Sequence, residues 1–319
     1  MKTGLSYNDV CLIPKYNNVA SRIEPNVGTF LTKGNGMAIP IVAANMDTVI
    51  GVELAEVLEK RGSIPILHRF SRPEVTAEIA KNLKRYFLSC GIGRPQIQDL
   101  HELVVEHELQ PLGICIDIAH GHSMSMLKTI EDLKGWRHLQ IIAGNVCTKE
   151  AVRDLALAGA DAVKVGIGPG SACTTRRVTA FGRAQFSAVL ECAEEGDKHH
   201  LPIIADGGIK SSREIVLALA AGADSVMIGG LFAQTLQSAG KGHFRGQASA
   251  EFQKDYYGAV KAGTVPEGKV LDYTDLRDAN EVIDELVGGL RSGMTYCGAR
   301  SIEELQRKAE FERITPNYF

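Results

Sequence analysis

The 319-residue sequence predicts an α/β fold of the (β/α)8 barrel class, formed as a single domain. Three observations carry that expectation. Eight short apolar runs recur along the chain, and six of their seven start-to-start intervals lie between 22 and 28 residues. Helical patterns with sound caps fill the gaps between them. No GxGxxG turn follows the first run, which a doubly wound open sheet would be expected to carry; the chain there reads Ala44-Asn-Met-Asp-Thr48.

The runs fall at Ile39–Ala43, Ile64–Leu67, Tyr86–Cys90, Leu112–Asp117, Gln140–Ala143, Ala162–Val165, Pro202–Ala205 and Ser225–Ile228. Continuous apolar runs of this length suit parallel strands buried on both faces. The intervening patterns predict helices over Val52–Arg61, Pro73–Lys84, Ile97–Glu108, Ser123–Leu133, Lys149–Ala158, Ala184–Glu194 and Ser212–Ala221. Ser71-Arg-Pro73, Thr148-Lys-Glu150 and Ser211-Ser-Arg-Glu214 look like helix starts. The near repeats Ala158-Gly-Ala-Asp161 and Ala221-Gly-Ala-Asp224 put glycine past a helix just before a strand. Eight such units make a closed barrel of about 250 residues. Residues 1–38 then form a lead-in, 39–230 the eight strands, and 231–319 a flap and C-terminal helical segment. The flap is expected to hold a helix over Glu251–Ala262, and the C-terminal segment one over Asp278–Leu290.

Composition narrows the function classes. The chain is 45% hydrophobic and 23% charged with net charge −3, and it has no basic run to mark a nucleic-acid or membrane partner. No stretch approaches a membrane span, and Met1-Lys-Thr-Gly-Leu5 lacks the apolar core of a signal peptide. Seven scattered cysteines without a CxxC pair suggest neither zinc nor a disulfide framework, so reduced thiols in a cytoplasmic enzyme are expected.

The interval between strands six and seven is the outlier, at 40 residues, and an overlong loop in a compact domain is usually functional. It contains Gly166-Ile-Gly-Pro-Gly-Ser-Ala-Cys-Thr-Thr-Arg176. Glycines in alternation let backbone approach a ligand closely, and Ser171 with the loop amides can receive phosphate oxygens. Cys173 follows, close in sequence to Arg176 and Arg177, where positive charge would favour a thiolate. A buried, inert cysteine is the commoner case; the loop's composition argues for a nucleophile acting on a phosphorylated small molecule.

Adjacent strand ends extend this cradle. Ala205-Asp-Gly-Gly208 follows strand seven and Gly229-Gly230 follows strand eight, where barrels of this class commonly bind phosphate. Asp206 suits a ribose diol as a two-oxygen acceptor. Asp117, at the end of strand four, is placed to orient a bound ring. His120, His122 and His68 raise a metal reading, but packed or hydrogen-bonded histidines are the commoner outcome. Glu267 stands at the return of the flap, where a lone glutamate is ordinarily just solvated.

Gly168-Pro-Gly-Ser-Ala-Cys-Thr-Thr-Arg176, Ala205-Asp-Gly-Gly208, Ala44-Asn-Met-Asp-Thr-Val49 and Gly288-Gly-Leu-Arg-Ser-Gly293 together resemble the IMP dehydrogenase/GMP reductase family, from about Tyr7 to Thr315. The resemblance implies a purine nucleotide monophosphate, a nicotinamide cofactor, and a covalent bond from Cys173 to purine C2. It further implies Thr175 and Glu267 as catalytic partners. The nucleotide would lie against Met46, Ser171, Asp206, Gly207, Gly208, Gly229, Gly230, Gln247, Ala248 and Gly268. Asp117, Ala119 and Arg176 would meet the cofactor, and the carbonyls of Gly168, Gly170 and Cys173 would bind K⁺. Family members are tetramers.

Family dehydrogenases usually insert regulatory CBS modules after strand two and carry an Arg-Tyr pair in the flap. This chain has room for no such insert, and between Gly246 and Glu267 it has Lys254-Asp-Tyr-Tyr257 and no arginine. Those features, with Leu67-His-Arg-Phe70 and Ile116–Ser123, resemble the reductase branch, which uses NADPH to convert GMP to IMP and ammonia. Gly182-Arg-Ala-Gln185 and Val265-Pro-Glu-Gly268 resemble dehydrogenases at least as well, and Thr264 stands where some reductases have arginine. A dehydrogenase without CBS modules and a non-catalytic purine-binding barrel are the alternatives.

Overall fold

A computed structural model describes residues 3–136 and 138–315; the ends of the expected 1–319 domain and residue 137 lie outside the described residues. Counting barrel strands alone, β1 (Ile41–Ala43), β2 (Ile66–Leu67), β3 (Phe87–Cys90), β4 (Gly113–Asp117), β5 (Gln140–Val146), β6 (Ala162–Val165), β7 (Ile203–Asp206) and β8 (Ser225–Ile228) form one sheet. Its spatial order is β1-β8-β7-β6-β5-β4-β3-β2, and every pairing is parallel. Among the described residues no ladder joins β1 to β2. Pro65 lacks an N–H and cuts β2 to two residues, shorter than its apolar run suggests. The buried Ser63 hydroxyl bridges this seam by donating to the Ile41 carbonyl at 2.6 Å.

Two-residue alternation divides each strand between two cores. Val42, Ile66, Phe87, Cys115, Ile142, Ala162, Ile204 and Met227, one from each strand, fill the barrel interior. Their neighbours in sequence, such as Ile41, Leu88, Val163 and Val226, pack outward in the cluster shared with the helices. Leu31 and Met37, from the hairpin Thr29–Thr32/Asn35–Met37, join the interior cluster. The hairpin sits under the strand starts, with the Thr29 hydroxyl bonded to the Asp224 carbonyl and Lys33 N–H to that of Asp161. The barrel is therefore plugged at one end and open at the other.

Helices α1 (Val52–Lys60), α2 (Pro73–Lys81), α3 (Arg94–Glu106), α4 (Met124–Leu133) and α5 (Lys149–Ala158) follow the first five strands. A short α6 (Thr175–Thr179) lies within the cysteine loop, before α7 (Gln185–Lys198) and α8 (Ser212–Ala220). Thr148 and Ser211 cap α5 and α8 through their side chains, whereas α2 starts from Arg72 rather than Ser71 and has no side-chain cap. After β8 come α9 (Gly230–Ala233), the flap helix α10 (Ala250–Tyr257), and α11 (Ala279–Tyr296). The α11 helix runs six residues past its expected end at Leu290, and it contains Gly289 and Gly293. A Cβ at Gly289 would lie 2.1 Å from Ser212 Oγ and one at Gly293 2.7 Å from Val216, so these glycines let α11 pack closely on α8. The last helix, α12 (Ile302–Lys308), precedes a strand, Phe311–Arg313, that pairs antiparallel with Val10–Leu12 and ties the lead-in to the C-terminal segment.

Candidate active site

The open end of the barrel holds a cavity of about 700 Å³, within the size range of small-molecule sites. Loops from three neighbouring strands, β6, β7 and β8, build one side of it. A Cβ at Gly166 would lie 1.9 Å from the Asp206 carbonyl, and one at Gly207 would lie 3.1 Å from the Gly170 nitrogen. Glycine at these two positions is what lets the loops after β6 and β7 touch. A Cβ on Gly230 would lie 3.1 Å from the Ser171 hydroxyl, so the loop after β8 closes on the same cradle. Ser171, Gly207, Gly208, Gly229 and Gly230 all line the cavity, as expected of a phosphate seat.

Cys173 lies half-buried in the same wall, its thiol donating to the Thr175 hydroxyl at 3.2 Å. By contrast, burial raises the thiols of Cys90 and Cys192 to about 12, which leaves them inert. The flap reaches Cys173 through backbone. Cys173 pairs with Gly268, Thr174 N–H donates to the Glu267 carbonyl at 2.9 Å, and Lys269 N–H to that of Ala172 at 2.9 Å. This short antiparallel contact makes Glu267, unremarkable in sequence, a half-buried wall of the cavity beside Cys173 and Thr175.

The other expected residues separate into two groups. Met46, Asp117, Ala119, Asp206, Gln247, Ala248, Gly168 and Gly170 line the cavity. Gly268 and Arg176 do not. Gly268 serves as the pairing partner of Cys173 and Ser249. The Arg176 stem packs over Gly168 and Gly182, where added Cβ atoms would come within 2.5 and 2.4 Å of it, and the residue is exposed. The positive charge expected beside Cys173 is thus directed outward. Neither does a histidine site form: His122 bonds the Asp154 carboxylate at 2.9 Å, and burial holds His68 neutral, lowered to about 4. Among the described residues no group of three or more His, Cys, Asp or Glu is placed to hold a metal ion. The carbonyl of Gly170 accepts the Cys173 N–H at 3.1 Å and keeps one lone pair for a cation.

Sequence reasoning missed several wall residues. Lys164, almost fully buried, reaches Asp117 Oδ1 at 2.8 Å and Asp206 Oδ2 at 3.0 Å. Its signal was a charge in the apolar run Ala162-Val-Lys-Val165. Arg69 lies 4.4 Å over the ring of Phe70, and its buried Nε has no partner among the described residues. Phe70, from the loop after β2, meets Phe252 and Tyr256 of α10 edge-on at 4.8 and 5.3 Å, and Tyr257 also lines the cavity. The cavity is consequently lined by the glycine-rich loops with Ser171, by Cys173, and by Asp117 with the aromatic rings of Phe70 and Tyr257.

A family model described as the IMP dehydrogenase/GMP reductase domain matches residues 4–318. The chain is 37% identical to GMP reductase 2 of Homo sapiens, over 98% of this chain and 94% of that protein. It is 47% identical to an inosine-5′-monophosphate dehydrogenase of Chlorobaculum tepidum, over 63% of this chain and 45% of that protein. A solved GMP reductase from Trypanosoma brucei, in complex with guanosine 5′-monophosphate, superimposes with a TM-score of 0.89 at 26% identity, covering 99% of this chain and 96% of that one.

Proposed function

The chain belongs to the IMP dehydrogenase/GMP reductase family, and we propose that within it the chain is a GMP reductase, converting GMP and NADPH to IMP, ammonia and NADP⁺. One observation carries the choice of branch. The flap that seats Glu267 against the cysteine loop has no arginine between Gly246 and Glu267, so it lacks the Arg-Tyr pair that resemblance associates with water activation.

The phosphate of GMP lies on Ser171, Gly208, Gly229 and Gly230, and Asp206 accepts from the ribose hydroxyls. Met46, Gln247 and Ala248 flank the base. Cys173 Sγ bonds to C2 of guanine, and the C2–N2 bond then breaks. Thr175 and Glu267 bring the proton with which the amine leaves as ammonia; acid–base help of this kind is worth about 10²–10⁴ in rate. Reduced nicotinamide, when bound, supplies the hydride that C2 receives. The Sγ–C2 bond breaks and Cys173 is returned as thiolate. Water reaching the covalent stage would divert it to xanthosine monophosphate. The aromatic contacts between α10 and Phe70 are the group placed to exclude it.

The same reading takes Asp117 and Ala119 as cofactor contacts and K⁺ on the carbonyls of Gly168, Gly170 and Cys173. It takes the protein as a cytoplasmic homotetramer acting on GMP and IMP, without nucleic-acid or membrane partners. Among the described residues no helix is long and apolar enough to cross a membrane.

Purified protein with GMP and NADPH should release IMP and ammonia in equal amounts. Cys173→Ala should bind GMP and turn over none of it. Xanthosine monophosphate formed from IMP and NAD⁺, with no GMP-dependent NADPH oxidation, would instead make the chain a dehydrogenase; turnover by the alanine variant would remove the covalent step.

A further inference from the structure

Lys164 has no part in the chemistry above, yet it is the charge placed deepest in the cavity wall. Alternation along three strands explains its position. Ala162, Cys115 and Ile204 point into the barrel, so Lys164, Asp117 and Asp206, each two residues further on, face the interior at the open end. Gly144 on β5 makes room for the lysine stem: a Cβ there would lie 2.6 Å from Lys164 Cβ. Asn145 completes the group, accepting from Lys164 Nζ and donating to Asp206 Oδ2 at 2.8 Å and to the Gly166 carbonyl at 2.8 Å. Burial works against the ammonium charge, but Asp117 and Asp206 outweigh it and hold the Lys164 pKa above its ordinary value.

A buried triad of this kind is a poor stabilising device, since apolar replacement of whole triads is often neutral or favourable. The two carboxylates also come from different strands, β7 and β4, and on the functional reading above Asp206 meets the nucleotide and Asp117 the cofactor. Lys164 contacts Asp117 through Oδ1 and Asp206 through Oδ2, which leaves the other oxygen of each for a ligand.

We propose that Lys164 is a positioning residue that couples the nucleotide and cofactor sides of the cavity, bridging both carboxylates with one shared charge. The proposal rests on the functional reading above. A nucleotide that engages Asp206 draws on the same ammonium that orients Asp117, and a nicotinamide ribose on Asp117 acts back on Asp206. Coupling of this kind is reciprocal in binding free energy. Without the lysine, the two carboxylates it bridges are left with no cation between them, and a like charge nearby disfavours the charged form.

The test is GMP binding by calorimetry to the wild type, Lys164→Met, and the double variant Lys164→Met/Asp117→Asn, each with and without NADP⁺ and across pH. Circular dichroism confirms folding of each. Lys164→Met should weaken GMP binding by at least about tenfold, make it dependent on pH in the neutral range, and abolish the effect of NADP⁺ on it. Removing the second carboxylate in the double variant should restore most GMP affinity and remove the pH dependence. Lysine as mere scaffold would instead give a loss that Asp117→Asn leaves unrepaired, and wild-type GMP affinity in Lys164→Met would overturn the coupling outright. If Lys164→Met fails to fold, the double variant decides alone: weak or pH-dependent GMP binding in it contradicts the proposal. Failure of the wild type to bind GMP would reject the functional reading itself, a separate outcome.

Discussion

Cys173 differs from the other cysteines of the chain in place more than in type. Cys90, Cys115 and Cys192 are walled in by apolar side chains, and burial pushes their thiols up. Cys173 stands half-exposed on a loop with a hydroxyl at 3.2 Å and the flap segment that bears Glu267 bridged to its backbone. If Glu267 handles the proton of the departing amine, Glu267→Gln should lower kcat by about 10²–10⁴ with little change in GMP affinity. Equal losses in kcat and affinity would remove that role. The nucleophile was legible because glycine, serine and threonine around a cysteine are a local pattern. Lys164 was not, because its partners arrive from β4, β5 and β7, 47, 19 and 42 residues away in sequence. Arg176, near Cys173 in sequence, is exposed, with its stem against Gly168 and Gly182.

The flap behaves as an element with its own electrostatic ties. Its stem, His243–Arg245 against Val270–Asp272, carries a histidine whose Nδ1 lies 2.7 Å from Asp272 and whose Nε2 lies 2.7 Å from Glu251 on α10. Arg245 adds bonds to Asp47, Glu251 and Asp255. The hydrogen bonds to Asp272 and then Glu251 raise the His243 pKa above its ordinary 6.5. The tie is accordingly complete below about pH 6.5 and is lost as pH rises through the raised value. Amide hydrogen exchange along residues 250–257 should therefore quicken with pH beyond its intrinsic base catalysis, and His243→Gln should abolish that excess. An identical profile in the variant would show that the histidine does not hold the flap. The stem's ladder joins segments 25 residues apart across a helix, so nothing in local periodicity announced it. The overlong α11 was hidden for a related reason. Its last turns are held by packing on α8, where Gly293 lies close to Val216, a contact that only the fold supplies.

The whole barrel explains why residues spread from Met46 to Glu267 form one site. Regular spacing of apolar runs made the eight strands legible, with ends shifted by up to three residues, as at Pro65 before β2 and beyond Ala143 in β5. Closure was less legible, since the β1–β2 seam depends on a serine side chain. The site follows from topology: sequential strands place the loops after β6, β7 and β8 side by side, with Asp117 across from them. The reaction proposed for this cavity is reductive deamination at C2. Its most direct test is turnover of GMP with NADPH deuterated at both C4 positions, reading the isotope in the product. IMP carrying one deuterium at C2 for each ammonia released is the predicted result. Unlabelled IMP, or xanthosine monophosphate in its place, would contradict the account.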